Sequence, residues 1–277
     1  MHGTRTYPRG VPSWVDTEPS DPRAAQDFYG QLFGWTFTTV SPPGAPYYAL
    51  AELSGRQVAG IGSGTGGQPV AWNTYIAVDD ADAVAARVVD LRGRVPVEPV
   101  DVGSAGRAAV CADPAGAAFR LWQARERPGA QLVNAPGAWN FSDLHANGPQ
   151  ALGFYIDLSG WEVANLGLAT LIRLPGYADR LEASVDPDIR ARQRGVMAPA
   201  GFEDAIAWLG PLQPDARPHW HVTFAVADRD ASVATAMRLG ATILSTEVTR
   251  WTRTALIRDP QGGTFTASQF TPDQPQA

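Results

Sequence analysis

His219 and His221 flank Trp220, a spacing that points both imidazoles to one side of an extended strand. A neutral imidazole there can serve as a general base or hydrogen-bond a ligand. The plainer reading makes His221 a satisfied interior histidine and leaves His219 at a strand mouth after Pro218. Asp143 and His145 alternate with Phe141 in the same way, and Asp16 holds the place that matches Asp143 in a second, similar segment. Either aspartate can orient a histidine, accept a ligand hydroxyl or bond to backbone N–H groups nearby. Arg120 and Trp122 share a third alternating run, offering a guanidinium and an indole to a planar or anionic ligand, or an arginine that pairs with Asp16 to plug a degenerate cleft. Cys111 lies in Ala-Val-Cys-Ala with no base or cation beside it, so it reads as a small buried residue rather than a nucleophile.

The elements that must carry these residues come from a repeat. Pro12-Ser-Trp-Val-Asp16, Asp21-Pro22 to Phe28-Tyr29 and Phe33-Gly34-Trp35 return as Ala138-Trp-Asn-Phe-Ser-Asp143, Phe154-Tyr155 and Ser159-Gly160-Trp161. A second motif pair also recurs: Asn73 to Asp80 with Asp113-Pro-Ala-Gly116, and His221 to Asp228 with Asp259-Pro-Gln-Gly262. Each of the four segments opens on a period-2 strand, as in Tyr75 and Ala77 against Ile76 and Val78. A helix follows: Asp21 caps it, Pro22 takes its first position, Ala24, Ala25, Phe28 and Leu32 recur at helical spacing, and Gly34 ends it. Val84, Val88 and Leu91 before Gly93, and Val233 and Met237 before Gly240, repeat the plan. Three short strands complete the unit, for the second near 95–97, 107–111 and 118–123, which makes it βαβββ. Pro and Gly at 128–137 have linker composition, so the chain divides into 1–127, a linker at 128–137, 138–272 and a frayed tail at 273–277.

The composition excludes several classes. The 277 residues carry 44% hydrophobic and 18% charged residues, suited to a soluble globular protein of two domains. All 22 basic residues are Arg, the net charge is −6, and no basic stripe exists to gather phosphates, which argues against nucleic acid or an anionic membrane. One cysteine excludes an intrachain disulfide framework. The N-terminus lacks a secretory apolar run and no stretch is long enough to span a bilayer, so the chain is expected in the cytoplasm. Gly62, Gly64 and Gly67 form a nominal G-x-G-x-x-G, yet Gln68-Pro69-Val70 leads into a strand and not the helix that a dinucleotide needs.

The four βαβββ units, the Asp-Pro, Phe-Tyr and Gly-Trp steps and the Asp-Pro-x-Gly turns resemble the vicinal oxygen chelate superfamily of glyoxalases, bleomycin-resistance proteins and extradiol dioxygenases. Ala183 to Gln193 and Gly201 to Leu209 look like an insertion in tandem actinobacterial members, often labelled hydroxylases, some of them similar to accessory proteins of aromatic polyketide pathways. The resemblance implies an α+β fold, with four modules paired into two domains whose curved mixed sheets form clefts. Its metal-dependent members place ligands on the first and last strands. Those positions here are Trp14, Asn73, Phe141 and His221, then Arg120 and Thr266, and only His221 is a competent ligand. Asp143, His145 and His219 are the reserve donors.

The resemblance therefore implies a cleft without a metal or other cofactor, lined by Trp14, Asp16, Asn73 and Tyr75 with Arg120 and Trp122, and by Phe141, His145, Trp220 and Thr266. His221, aided by His219 or Asp143, is the expected proton-transfer residue in a hydroxylation, isomerisation or cyclisation of a flat aromatic molecule. Sequestration of such a molecule, assistance to a separate oxygenase, and metal-dependent lyase or dioxygenase chemistry are the alternatives. Four units in one chain suit a monomer or a homodimer.

Overall fold

The computed structural model describes residues 4–64, 69–147, 149–166, 170–196 and 198–272; the expected tail at 273–277 and Gly67 of the glycine run lie outside them. The first motif folds as strand β1 (Pro12–Thr17), helix α1 (Pro22–Phe33) and strands β2 (Thr36–Thr39), β3 (Tyr48–Leu53) and β4 (Arg56–Gly62). The second gives β5 (Trp72–Ala77), α2 (Ala81–Asp90), β6 (Arg94–Val102), β7 (Gly106–Ala112) and β8 (Ala118–Ala124). The third gives β9 (Trp139–Ala146), α3 (Gly153–Ser159), β10 (Glu162–Asn165) and β11 (Thr170–Arg173). It continues through α4 (Tyr177–Glu182) and α5 (Ile189–Gly195), the insertion, to β12 (Ala205–Pro211). The fourth gives β13 (His219–Ala225), α6 (Arg229–Arg238), β14 (Thr242–Val248), β15 (Thr252–Arg258) and β16 (Thr264–Phe270).

The α+β class and the four βαβββ modules stand as the sequence implied. Two open, mixed eight-stranded sheets run in the orders β2-β3-β4-β1-β5-β8-β7-β6 and β10-β11-β12-β9-β13-β16-β15-β14. In each module the first strand pairs in parallel with the last; β5 with β8 sets Tyr75 opposite Arg120, and β13 with β16 sets Thr223 opposite Thr266.

Helix α1 shows the local physics. The Asp21 carboxylate accepts from the N–H groups of Arg23 (3.0 Å) and Ala24 (3.1 Å), and Gly34, at φ +76°, closes the last turn on the Gly30 carbonyl. Its buried face is Ala25, Phe28, Tyr29 and Phe33, whereas Ala24 points to solvent. Ala25 and Phe28 keep their expected places, while Tyr29 and Phe33 take the core positions expected of Ala24 and Leu32, because Tyr29 buries a ring whose hydroxyl finds an acceptor. In α6 the expected core residue Met237 is exposed and Ala236 is buried. After α2 the left-handed position falls on Arg92 (φ +65°). Gly93 has a different reason: a Cβ there would meet Val88 Cγ1 at 2.7 Å and the Ala112 carbonyl at 2.8 Å.

Contact density divides the chain into two compact units, each drawing on both sequence halves: Met1–Ser13, Thr74–Gly129 and Ser142–Trp220 in one, and Trp14–Asn73, Ala130–Phe141 and His221–Ala277 in the other. In the first, Tyr155 stacks on Trp161 (5.1 Å, 8°) and meets Trp220 edge-on. Tyr155 donates to Asp113 Oδ2 (3.1 Å) and accepts from Trp220 Nε1 (3.0 Å). In the second, Tyr29 packs among Phe33, Trp35, Trp72 and Phe265, donates to Asp259 Oδ2 (2.7 Å) and accepts from Trp72 Nε1 (3.0 Å). Each core therefore seats the tyrosine of one half on the Asp-Pro-x-Gly aspartate of the other. Burial, and then the neighbouring carboxylate, hold both phenols well above the usual tyrosine range, so both stay protonated as donors.

Candidate functional site

Four clusters of polar and aromatic side chains gather on the module strands. On β1, Trp14 and Asp16 are buried and joined through a residue that the sequence did not single out, Tyr48 of β3. Trp14 Nε1 donates to the Tyr48 hydroxyl (2.9 Å), which donates to Asp16 Oδ2 (3.0 Å), while Asn73 Nδ2 donates to Asp16 Oδ1 (2.8 Å). The Asp16 carboxylate thus accepts from side chains on both oxygens. Tyr48 fits because β4 offers glycine at alternate positions. A Cβ on Gly60 would collide with the Tyr48 hydroxyl, and one on Gly62 would come within 3.2 Å of its ring. Alternate glycines in a strand are a readable sign of a ring lying across it; the nominal dinucleotide pattern obscured that sign.

In the other unit, Arg120 of β8 lies over the Tyr75 ring of β5, its guanidinium carbon 5.4 Å from the centroid, and Nη1 donates to the Tyr75 hydroxyl (2.9 Å). Trp122 meets Tyr75 edge-on at 6.3 Å and is anchored by donation of Nε1 to the Arg127 carbonyl (2.8 Å). Gly106 leaves room for that indole, since a Cβ there would sit 2.7 Å from Trp122 Cζ2. The guanidinium, phenol and indole form one aromatic and cationic cluster, with the phenol and the indole both buried.

His145 of β9 and His219 of β13 stack in the same unit, centroids 5.0 Å apart and planes 17° apart. Their Nδ1 atoms lie 3.0 Å from the Pro211 carbonyl and 2.8 Å from the Arg217 carbonyl. A carbonyl only accepts, so each Nδ1 carries the proton in these bonds. Burial, then the like charge of His219, lower the His145 pKa, with the Pro211 carbonyl opposing. Gly210 is opposite His145 and makes space for the ring.

His221 of β13 is buried, and its Nε2 is 2.9 Å from Thr266 Oγ1 of β16. The first-strand and last-strand positions of the fourth module do meet. Phe141 and Asp143 follow the expected alternation on β9 and are both half-buried. Trp220 is a correction: it belongs to the core, donating to Tyr155 and packing on Trp161, on the opposite side of β13 from the histidines that bracket it. Two arginines of the insertion are committed to neighbouring acids, Arg190 to Asp179 and Glu182, and Arg192 to Asp186. Cys111 is fully buried and its thiol is pushed up to about 12, chiefly by burial, so it is chemically silent at neutral pH.

A divalent metal, which the fold family implies, needs three or more converging donors. Among the described residues no group of three His, Cys, Asp or Glu is placed to hold one. Asp16 already takes hydrogen bonds on both oxygens, and His221 Nε2 is engaged with Thr266. Among the described residues no helix is long and apolar enough to cross a membrane.

Comparison with known proteins agrees with this architecture. The glyoxalase-like domain model matches twice, at residues 14–122 and 141–268. CFP32 of Mycobacterium tuberculosis is 36% identical over 276 residues, covering 97% of this chain and 98% of that protein. The anthracycline biosynthesis protein DnrV of Streptomyces peucetius is 35% identical over 291 residues, covering 99% and 98%. Among solved structures, the Mn(II)-bound glyoxalase from Novosphingobium aromaticivorans superposes with a TM-score of 0.58 at 15% identity, covering 94% of this chain and 82% of that one. The 2,3-dioxygenase LapB from Pseudomonas sp. KL28 gives 0.58 at 11% identity, covering 100% and 95%; both likenesses speak for the fold alone. With its modules, its two domain matches and its full-length relatives in agreement, this chain belongs to the glyoxalase-like domain family of the vicinal oxygen chelate superfamily.

Proposed function

We propose that this protein binds a flat aromatic small molecule of secondary metabolism, without a bound metal, and takes part in tailoring it. The observation that carries the reading is the wall of Tyr75, Arg120 and Trp122. An arginine held against a phenol by a hydrogen bond to its hydroxyl, with an indole edge-on beside it, is suited to a polycyclic ring bearing ionisable hydroxyls or carbonyls. Full-length similarity to proteins named for anthracycline biosynthesis supports the substrate class.

In the other unit, at a place of its own apart from that wall, His221 with Thr266 is the proton-transfer residue that we propose. Thr266 Oγ1 holds Nε2, and a neutral imidazole so placed takes a proton from a phenolic or enolic hydroxyl, or from a carbon next to a carbonyl, and returns it elsewhere on the same molecule. The reactivity resides in the aromatic substrate, and the protein supplies orientation, partial desolvation and a base. Asp16, Tyr48 and Asn73 give that same unit a polar cluster suited to fixing a ligand substituent.

The test is a panel of aromatic polyketides offered to chelator-treated protein, with binding and conversion both followed. Arg120→Gln should weaken binding about 5- to 30-fold. His221→Ala should leave binding within about threefold and abolish conversion. Binding that survives beside undiminished conversion in His221→Ala removes that residue from the chemistry. Absence of any binding tighter than millimolar refutes the reading itself.

A further inference from the structure

The chain builds one corner twice and closes it in two ways. In one unit Trp161 Nε1 donates to the Gly10 carbonyl (2.8 Å), and the Gly10 N–H donates to Ala77 (2.8 Å). In the other, Trp35 Nε1 donates to the Gly137 carbonyl (2.7 Å), and the Gly137 N–H donates to Ala225 (2.8 Å). Both glycines are left-handed, at φ +87° and +83°. The corners correspond residue by residue, and the residue before the glycine is Arg9 in one and Pro136 in the other.

Arg9 turns back and donates from Nη2 to the Leu158 carbonyl (3.2 Å) in the last turn of α3. Leu32 is the counterpart of Leu158, two residues before the helix-ending glycine of α1. Pro136 has no group that reaches it. An open groove of about 320 Å³ lies there instead, bounded by Leu32, Phe33, Pro136 and Val226 and, at α6, by Asp228 and Thr235.

The chemistry of this groove selects a cation on an apolar stem. The negative end of the α1 dipole and the positive end of the α6 dipole both face the groove and offset one another, and Asp228, which caps α6 by accepting from the Ala231 N–H (2.9 Å), leaves the balance with a full carboxylate charge. Leu32, Phe33 and Val226 give the methylenes of a long side chain an apolar bed. No basic residue lines the groove, and the net charge of −6 favours approach of a basic partner.

We propose that the groove between α1 and α6 is a docking site for an arginine side chain presented by a partner protein, which takes the place that Arg9 takes in the other unit. The site is separate from the strand clusters described above, so its test does not depend on the small-molecule reading.

The experiment titrates ¹⁵N-labelled full-length protein with N-acetyl-arginine amide, with N-acetyl-citrulline amide as the neutral isostere, and with a Gly-Gly-Arg-Gly-Gly peptide. The arginine probe and the peptide should give saturable amide shifts at Leu32, Ala231 and Thr235, and citrulline should bind at least about fivefold more weakly. Pro136 is exposed, so Pro136→Arg should fold, supply the guanidinium from within as Arg9 does, and weaken probe binding about tenfold; Pro136→Gln should not. Shifts that fail to saturate, an equal response to citrulline, a silent peptide beside a binding amide, or unchanged binding in Pro136→Arg would each overturn the proposal.

Discussion

The hydroxyl of Tyr29, from the first module, donates to Asp259 Oδ2 of the fourth at 2.7 Å, and the same relation recurs between Tyr155 and Asp113. The other oxygen of Asp259 is committed to the N–H groups of Gln261 (2.8 Å) and Gly263 (2.9 Å), so the turn and the core are set by one carboxylate. Tyr29→Phe removes the donor from Asp259 Oδ2 and the acceptor from Trp72 Nε1 together. The expected cost is about 2–3 kcal/mol in urea denaturation, with Tyr155→Phe similar and the two additive. A loss below about 0.5 kcal/mol would show that neither aspartate depends on its tyrosine.

Gly60→Ala tests the packing beneath Asp16. The added methyl group occupies the space of the Tyr48 hydroxyl, so the ring must leave and both its bonds, to Trp14 and Asp16, are lost. A destabilisation of about 2–4 kcal/mol is expected, with altered Trp fluorescence, and a smaller effect for Gly62→Ala, whose nearest ring contact is 3.2 Å.

The stacked pair of His145 and His219 makes stability depend on pH. The folded state depresses the His145 pKa below its ordinary 6.5, so between those two values the unfolded chain binds more protons and stability rises with pH. The contribution is fully present above about pH 6.5 and is lost as pH falls through the folded pKa. Thermal unfolding should therefore give a lower Tm at pH 5 than at pH 7.5. His145→Gln should flatten that slope, and His219→Gln should flatten it in part, by removing the like charge.

Much of this was legible in the residues themselves. Asp21, Pro22 and Gly34 announced the first helix, and the duplicated Asp-Pro-x-Gly turns announced the modules, because capping and turn chemistry are local. What escaped the sequence was long-range. Trp220 shares a strand with His219 and His221, and only the packing of α3 against β13 shows that its face is core. Tyr48 carried no motif of its own; its role comes from a gap left by glycines on the next strand. The pairing of Tyr29 with Asp259 joins residues 230 positions apart, which no local pattern encodes.

The central claim is metal-free binding of a flat aromatic ligand at the wall of Tyr75, Arg120 and Trp122. Its most direct test is titration of chelator-treated protein with a tetracyclic hydroxyquinone, followed by quenching of tryptophan fluorescence, beside Arg120→Gln. The expected result is saturable binding at roughly micromolar concentration, unaffected by chelator and weakened about 5- to 30-fold by the substitution. Binding that vanishes with chelator and returns with added Fe, Mn, Ni or Zn would contradict it, as would the absence of saturation below millimolar ligand.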